Sequence, residues 1–129
     1  HCRVTTVFFD RTIGRNLAKA FKLLGLAVEA HDDWFVQDAE DTTWLPEVTR
    51  RNWVVVTNDK NIRVNALERQ ALIDSQAGVF FFGNGNRTNQ ERARTLLIAW
   101  DKIQEAASTT ARPFAFAIHR DGRLEPRAL

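Results

Sequence analysis

Three aspartates stand where chemistry could be done. Asp10 closes the apolar run from Val4 to Phe9, Asp59 follows the run Trp53–Thr57, and Asp41 ends an acidic stretch that begins at Glu29. Carboxylates drawn together without neutralising bases repel one another, so such a group must either take up protons or hold a cation. Hard divalent ions prefer oxygen ligands, and Mg²⁺ commonly keeps waters that can meet a phosphate. Cys2 is the single cysteine, and His1, His31 and His119 are scattered along the chain, which argues against zinc. The residue types therefore favour Mg²⁺ or Mn²⁺ on Asp10, Asp41 and Asp59, with Glu40 or Asp38 as physically equivalent substitutes for Asp41. Arg11, Lys60 and Arg63 adjoin these acids and could bind substrate phosphates. Each could equally be a solvated surface partner of a carboxylate.

A plainer role competes for the acids themselves. Aspartate is favoured where a strand turns into a helix, because its side chain caps free backbone N–H groups. The two readings differ in what must surround the carboxylates, so the elements that carry them matter.

Val4–Phe9 is rich in β-branched and aromatic residues, as expected of a buried strand. Ile13, Leu17, Ala20, Phe21 and Leu24 then recur at helical spacing, with Gly25 placed to end the helix. Leu26–Ala30 reads as a second strand. A helix follows Asp41, with Trp44, Leu45 and Val48 on one face and Pro46 expected within its first turn. Trp53–Thr57 is a continuous apolar run, the pattern of a strand covered on both faces. Val64, Leu67, Ala71 and Leu72 predict a helix, and Val79–Phe82 another strand. Thr88 with Glu91 makes a capping box before a long helix whose apolar face holds Ala93, Leu96, Leu97, Trp100, Ile103 and Ala107. Pro113–Ile118 reads as the last strand, followed by a tight turn at Asp121-Gly122.

Alternating strands and helices predict an α/β fold, a three-layer sandwich around a largely parallel sheet. Open α/β sheets bind ligands beyond the carboxyl ends of their strands, and there Asp10 and Asp59 must lie. The helix leading into Trp53–Thr57 runs against that strand, so Asp41 at its start reaches the same rim.

The chain has 129 residues, the size of one domain, and we read 1–129 as a single unit. With 44% hydrophobic and 26% charged residues it has the balance of a water-soluble globule rather than a disordered tail. No apolar run approaches the ~20 residues that cross a bilayer, and no secretory signal opens the sequence, so a cytoplasmic, membrane-free protein is expected. Net charge is only +2 but is segregated: six acids and no Lys or Arg from Glu29 to Asp41, against eight bases and five acids from Gly85 to Leu129. Arginine outnumbers lysine fourteen to four, and its planar fork suits phosphate oxygens.

Taken together, Phe8-Phe9-Asp10-Arg11, Asp41-Thr42-Thr43-Trp44-Leu45 and Trp53-Val54-Val55-Val56-Thr57-Asn58-Asp59-Lys60 resemble the PIN-like nuclease superfamily. Within it the chain is most similar to the small VapC-type toxins of bacterial toxin–antitoxin pairs. The match is densest from about Val7 to Ala71. The resemblance implies a metal-dependent endoribonuclease that hydrolyses RNA phosphodiester bonds, with Asp10, Asp41 and Asp59 matching the family's metal-binding acids. It implies a cognate antitoxin as partner, and a homodimer within a larger complex. One departure stands out: where PIN nucleases often supply a further acid, this chain reads Gly83-Asn84-Gly85-Asn86, which puts a second metal in doubt.

Two other readings compete. A non-catalytic PIN-like module would bind RNA or protein through Arg87, Arg92 and Arg94, which are equally the solvated face of an amphipathic helix. A receiver-like phosphorylation domain also gathers aspartates around Mg²⁺, but the doubled acid and the late Lys it resembles are Asp10-Arg11 and His119-Arg120 here. An RNA substrate gives exposed aromatics a use: Trp34, Phe35 or Trp44 could stack on bases, although core packing is the commoner fate of such residues. Trp53 and Trp100 belong to hydrophobic runs and are assigned to the core.

Overall fold

A computed structural model describes residues 4–36, 38–58, 66–82 and 88–129, and of Asp41 the backbone. Its elements alternate as the apolar runs require: β1 (Val7–Phe9), α1 (Arg15–Leu23), β2 (Val28–Ala30), α2 (His31–Trp34), α3 (Asp41–Arg50), β3 (Val54–Thr57), α4 (Ala66–Asp74), β4 (Gly78–Phe82), α5 (Asn89–Thr109), β5 (Phe114–Ile118) and β6 (Leu124–Arg127). The strands form one sheet in the order β2-β1-β3-β4-β5-β6, parallel except for β6.

Strand alternation sorts side chains to the two faces, and both faces are covered. Val7, Phe9, Val54, Val56, Phe80 and Phe82 pack against Leu17, Ala18 and Phe21 of α1 and Leu96, Ala99, Trp100 and Ile103 of α5. On the other face Phe8, Val55 and Val79 meet Trp44, Leu45 and Val48 of α3 and Leu72 of α4. The predicted α/β sandwich with a largely parallel sheet is therefore what forms.

Several local expectations shift. Val4 is exposed, and β1 begins only at Val7. Periodicity names Ala20, Leu24, Leu67 and Leu97 as core, yet all four are exposed, Leu67 to 80%. The stripe buried by a neighbouring sheet is narrower than the stripe of apolar residues. Ala18, Thr95 and Ala99 face inward instead. Pro46 lies in the second turn of α3 rather than the first, where its ring removes a hydrogen-bond donor that the packing of Trp44, Leu45 and Val48 offsets. Trp100 is buried as expected, whereas Trp53 is half-buried. Val64 lies outside the described residues.

Two predicted punctuation marks hold. Gly25 ends α1 at φ +85°, and Thr88 and Glu91 complete a reciprocal capping box on α5. Gly122, at φ +88°, makes the turn after β5, with its N–H donating to the His119 carbonyl at 2.8 Å. That turn launches β6, which the sequence does not signal. Glu125 pairs with Arg127 on its own strand and with His119 across the hairpin, and these partners hold its carboxyl down to about 2.

Candidate functional site

In the order β2-β1-β3 the chain doubles back across β1, so the carboxyl ends of β1 and β3 flank the point where the connections diverge. Ligands of open α/β sheets settle at such a point. Phe9 pairs with Val56, and the next residue, Asp10, donates its N–H to the Val56 carbonyl at 3.2 Å. Asp10 is thereby brought beside Thr57.

The Asp10 side chain is 7% exposed and both its oxygens are engaged. Oδ1 accepts from the backbone N–H of Thr12 at 3.0 Å and from the Thr12 hydroxyl at 2.5 Å. Oδ2 accepts from the hydroxyl of Thr57 at 2.5 Å. The Thr12 Oγ1 also accepts from the N–H of Asn58 at 2.7 Å and lies 3.2 Å from the Thr57 Oγ1. Two hydroxyls thus hold one carboxylate and lace the end of β1 to the segment that leads to Asp59. Hydroxyl donors favour the ionised form of a carboxylate, and they fix its direction.

The helix-capping alternative does not hold for Asp10. The residue before α1 is Gly14, at φ +95° and with no side-chain cap, so Asp10 caps no helix although it makes a local turn with Thr12. The residue before α3 is Glu40, and it too makes no side-chain cap.

The other predicted acids distribute as follows. Asp41 is the first residue of α3, at the carboxyl edge of the sheet, since α3 descends from there to the start of β3. Asp59, Lys60 and Arg63 lie outside the described residues, as does the Gly83–Asn86 segment. Arg11 is exposed and lines a groove of about 420 Å³ with Asp38, Ala39, Glu40, Thr42, Leu67 and Glu68. Asp38 and Glu40 thus share a groove with Arg11. Glu68 is an acid that pattern reading missed, because it lies within a helical repeat without a strand end to mark it. Thr12 carries no such signal either, whereas Thr57 belongs to the Thr57-Asn58-Asp59 strand ending, and each hydroxyl lies within two residues of a singled-out acid.

Among the described residues no group of three or more His, Cys, Asp or Glu side chains is arranged to hold a metal. The donors that are present at the switch point are all oxygens, which suits a hard dication and not zinc. His31 is buried between Phe8, Phe35 and Trp44 at the end of β2, while His119 lies at the end of β5. With three strands between theirs, the two cannot share an ion.

Of the two fates expected for the aromatics, core packing is the one Trp44 takes. Trp44 is buried and Phe35 packs on Phe8, so neither is available to a base. Trp34 is 42% exposed, but its ring lies edge-on to Trp53 at 5.2 Å, with the Arg51 guanidinium 4.4 Å from the ring centre. Trp53 and Arg51 precede β3, which puts this cluster on the amino side of the sheet, away from Asp10.

Comparison with known proteins bears on the family. A curated Mycobacterium tuberculosis protein named "Putative ribonuclease VapC45" is 25% identical over 118 residues, which cover 88% of this chain and 85% of the relative. No solved structure matches. The receiver-like alternative shares the 2-1-3-4-5 strand order, so topology alone does not dismiss it. The family comparison does: the sequence model described as PIN like domain matches residues 5–84, which span β1 to β4 and include Asp10, Asp41 and Asp59. The chain belongs to the PIN-like domain family.

Proposed function

We propose that this protein is a metal-dependent endoribonuclease that hydrolyses RNA phosphodiester bonds. The observation that carries the reading is the Asp10 carboxylate, nearly buried at the switch point and clasped by the hydroxyls of Thr12 and Thr57. Asp10, Asp41 and Asp59 would hold Mg²⁺ or Mn²⁺, with Glu40 or Asp38 able to replace Asp41. A bound dication of this kind supplies an activated water and neutralises charge on the phosphate. The chain itself orients the carboxylates through Thr12 and Thr57, and Arg11, Lys60 and Arg63 bind substrate phosphates beside them.

The relative's name and the family support a further step: the protein acts as the toxin of a toxin–antitoxin pair, in the cytoplasm, neutralised by a cognate antitoxin and assembled as a homodimer. No described helix is long and apolar enough to cross a membrane. The missing acid at Gly83–Asn86 favours one metal rather than two, and a non-catalytic RNA-binding module is the second reading. The two separate cleanly. Purified protein should cleave single-stranded RNA with Mn²⁺ or Mg²⁺ and lose that activity in EDTA, and Asp59→Asn should reduce cleavage at least a hundredfold while leaving the circular dichroism spectrum unchanged. Cleavage that persists under chelation would sink the mechanism; binding without turnover would favour the inactive module.

A further inference from the structure

Strand order also decides how charge is laid out along the carboxyl rim. Asp38 and Glu40, before α3, line a groove with Arg11 and with Glu68 of α4, while Asp33 of α2 is paired with Arg15 at 3.0 Å. On the side of β4 and β5, the first turns of α5 carry Arg92 and Arg94, and the β5–β6 turn carries Arg120 and Arg123.

The basic side is built, since the turn is packed onto the helix. The buried Thr95 hydroxyl donates to the Arg120 carbonyl at 3.4 Å, and a Cβ on Gly122 would come within 2.5 Å of the Ile98 Cγ2. Glu91, Arg94 and Ile98 follow one another at spacings of three and four along one ridge of α5, so Arg94 flanks the turn. Arg92 precedes the buried Leu96 by one turn, and its Nη2 donates to Asn89 Oδ1 at 3.0 Å. The acids in the cluster are Glu91, 3.7 Å from Arg120, and Asp121, whose carboxyl is held low chiefly by the Arg123 N–H. Arg94, Arg120 and Arg123 are exposed.

We propose that Arg94, Arg120 and Arg123 form a one-sided track for the RNA backbone, seating phosphates beyond the bond that is cut at Asp10. At about 4.8 Å between neighbouring strands, the ends of β4 and β5 lie about 10 and 14 Å from that of β1, a few nucleotides along an extended strand. Asp38, Glu40 and Glu68 line the groove by Arg11 and disfavour a strand that continues over them, so substrate contact is asymmetric about the scissile bond. The choice of RNA as the polyanion rests on the ribonuclease reading.

The test is binding of a fluorescein-labelled 12-nucleotide oligouridylate in EDTA, where no cleavage occurs, from 50 to 200 mM salt. The triple variant Arg94→Glu/Arg120→Glu/Arg123→Glu should bind at least tenfold more weakly, and the slope of log K against log salt should fall by about 2, since each phosphate neutralised on a single strand contributes about 0.7. Arg94→Gln alone should move both in the same direction by less. Arg50→Glu, on the amino side of the sheet, should change neither. With Mn²⁺ present, the triple variant should raise KM for the 12-mer while leaving dinucleotide cleavage intact. Unchanged affinity and slope would overturn the track and mark the patch as facing a protein or solvent only, as would an equal loss with Arg50→Glu. Absence of RNA binding by the unaltered protein would overturn both readings. Weakened binding in a protein that never cleaves would keep the track and sink the nuclease.

Discussion

At the scale of the residue, the hydroxyl of Thr12 is the joint of the site. It donates to Asp10 and accepts from the N–H of Asn58, and so ties the first acid to the backbone that runs on to Asp59. Replacing it by valine keeps the shape but leaves the Asp10 Oδ1 short of one donor and the Asn58 N–H without this acceptor, a loss of about 1–3 kcal/mol. Thr12→Val should therefore lower the urea midpoint and weaken Mn²⁺ binding about tenfold in isothermal titration, whereas Thr12→Ser should keep both near the parent. If valine loses stability but binds Mn²⁺ as before, the hydroxyl is structural only.

Among the elements, β4 lies wholly inside the molecule. Its five residues are buried, and its first, Gly78, lies directly against the ring of Phe114 on β5. A Cβ there would stand 2.4 Å from Phe114 Cζ, and that ring is itself enclosed by Phe80 and Phe116 at 5.5 Å. Overpacking of this kind costs about 1–3 kcal/mol. Gly78→Ala should lower the urea midpoint accordingly with the slope unchanged, and because Gly78 lies at the amino end of β4, Mn²⁺ affinity of the folded protein should be unaffected. A neutral Gly78→Ala would mean that Phe114 can swing aside.

For the whole molecule, Asp10, Asp41 and Asp59 come from segments that are distant in sequence, and the proposed site exists only if the folded sheet gathers them. An ion bound by them stabilises the native state alone, by about 2.7 kcal/mol at a hundredfold excess over Kd. Melting curves should therefore shift upward with added Mn²⁺, and Asp59→Asn should abolish most of that shift. A melting temperature that ignores Mn²⁺ would show that no dication bridges the segments.

Much of this was legible in the amino-acid order. Phe9-Asp10 and Thr57-Asn58-Asp59 mark strand ends because continuous apolar runs stop there, and the Thr88–Glu91 box marks the start of α5 because its partners are local. α2 was not legible, since four residues in an acidic stretch carry no period. Nor was β6, whose Leu-Glu-Pro-Arg reads against a strand; Pro126 is tolerated because β6 borders the sheet and pairs on one side only. Local preferences operate within a turn or a strand, so sequence by itself determined which residues close each element and which acids are offered to the rim. Only the tertiary structure decided that β1 and β3 are neighbours, that Thr12 and Thr57 grip Asp10 between them, and that bases gather on one side of it, because strand order follows from burying both faces of the sheet at once.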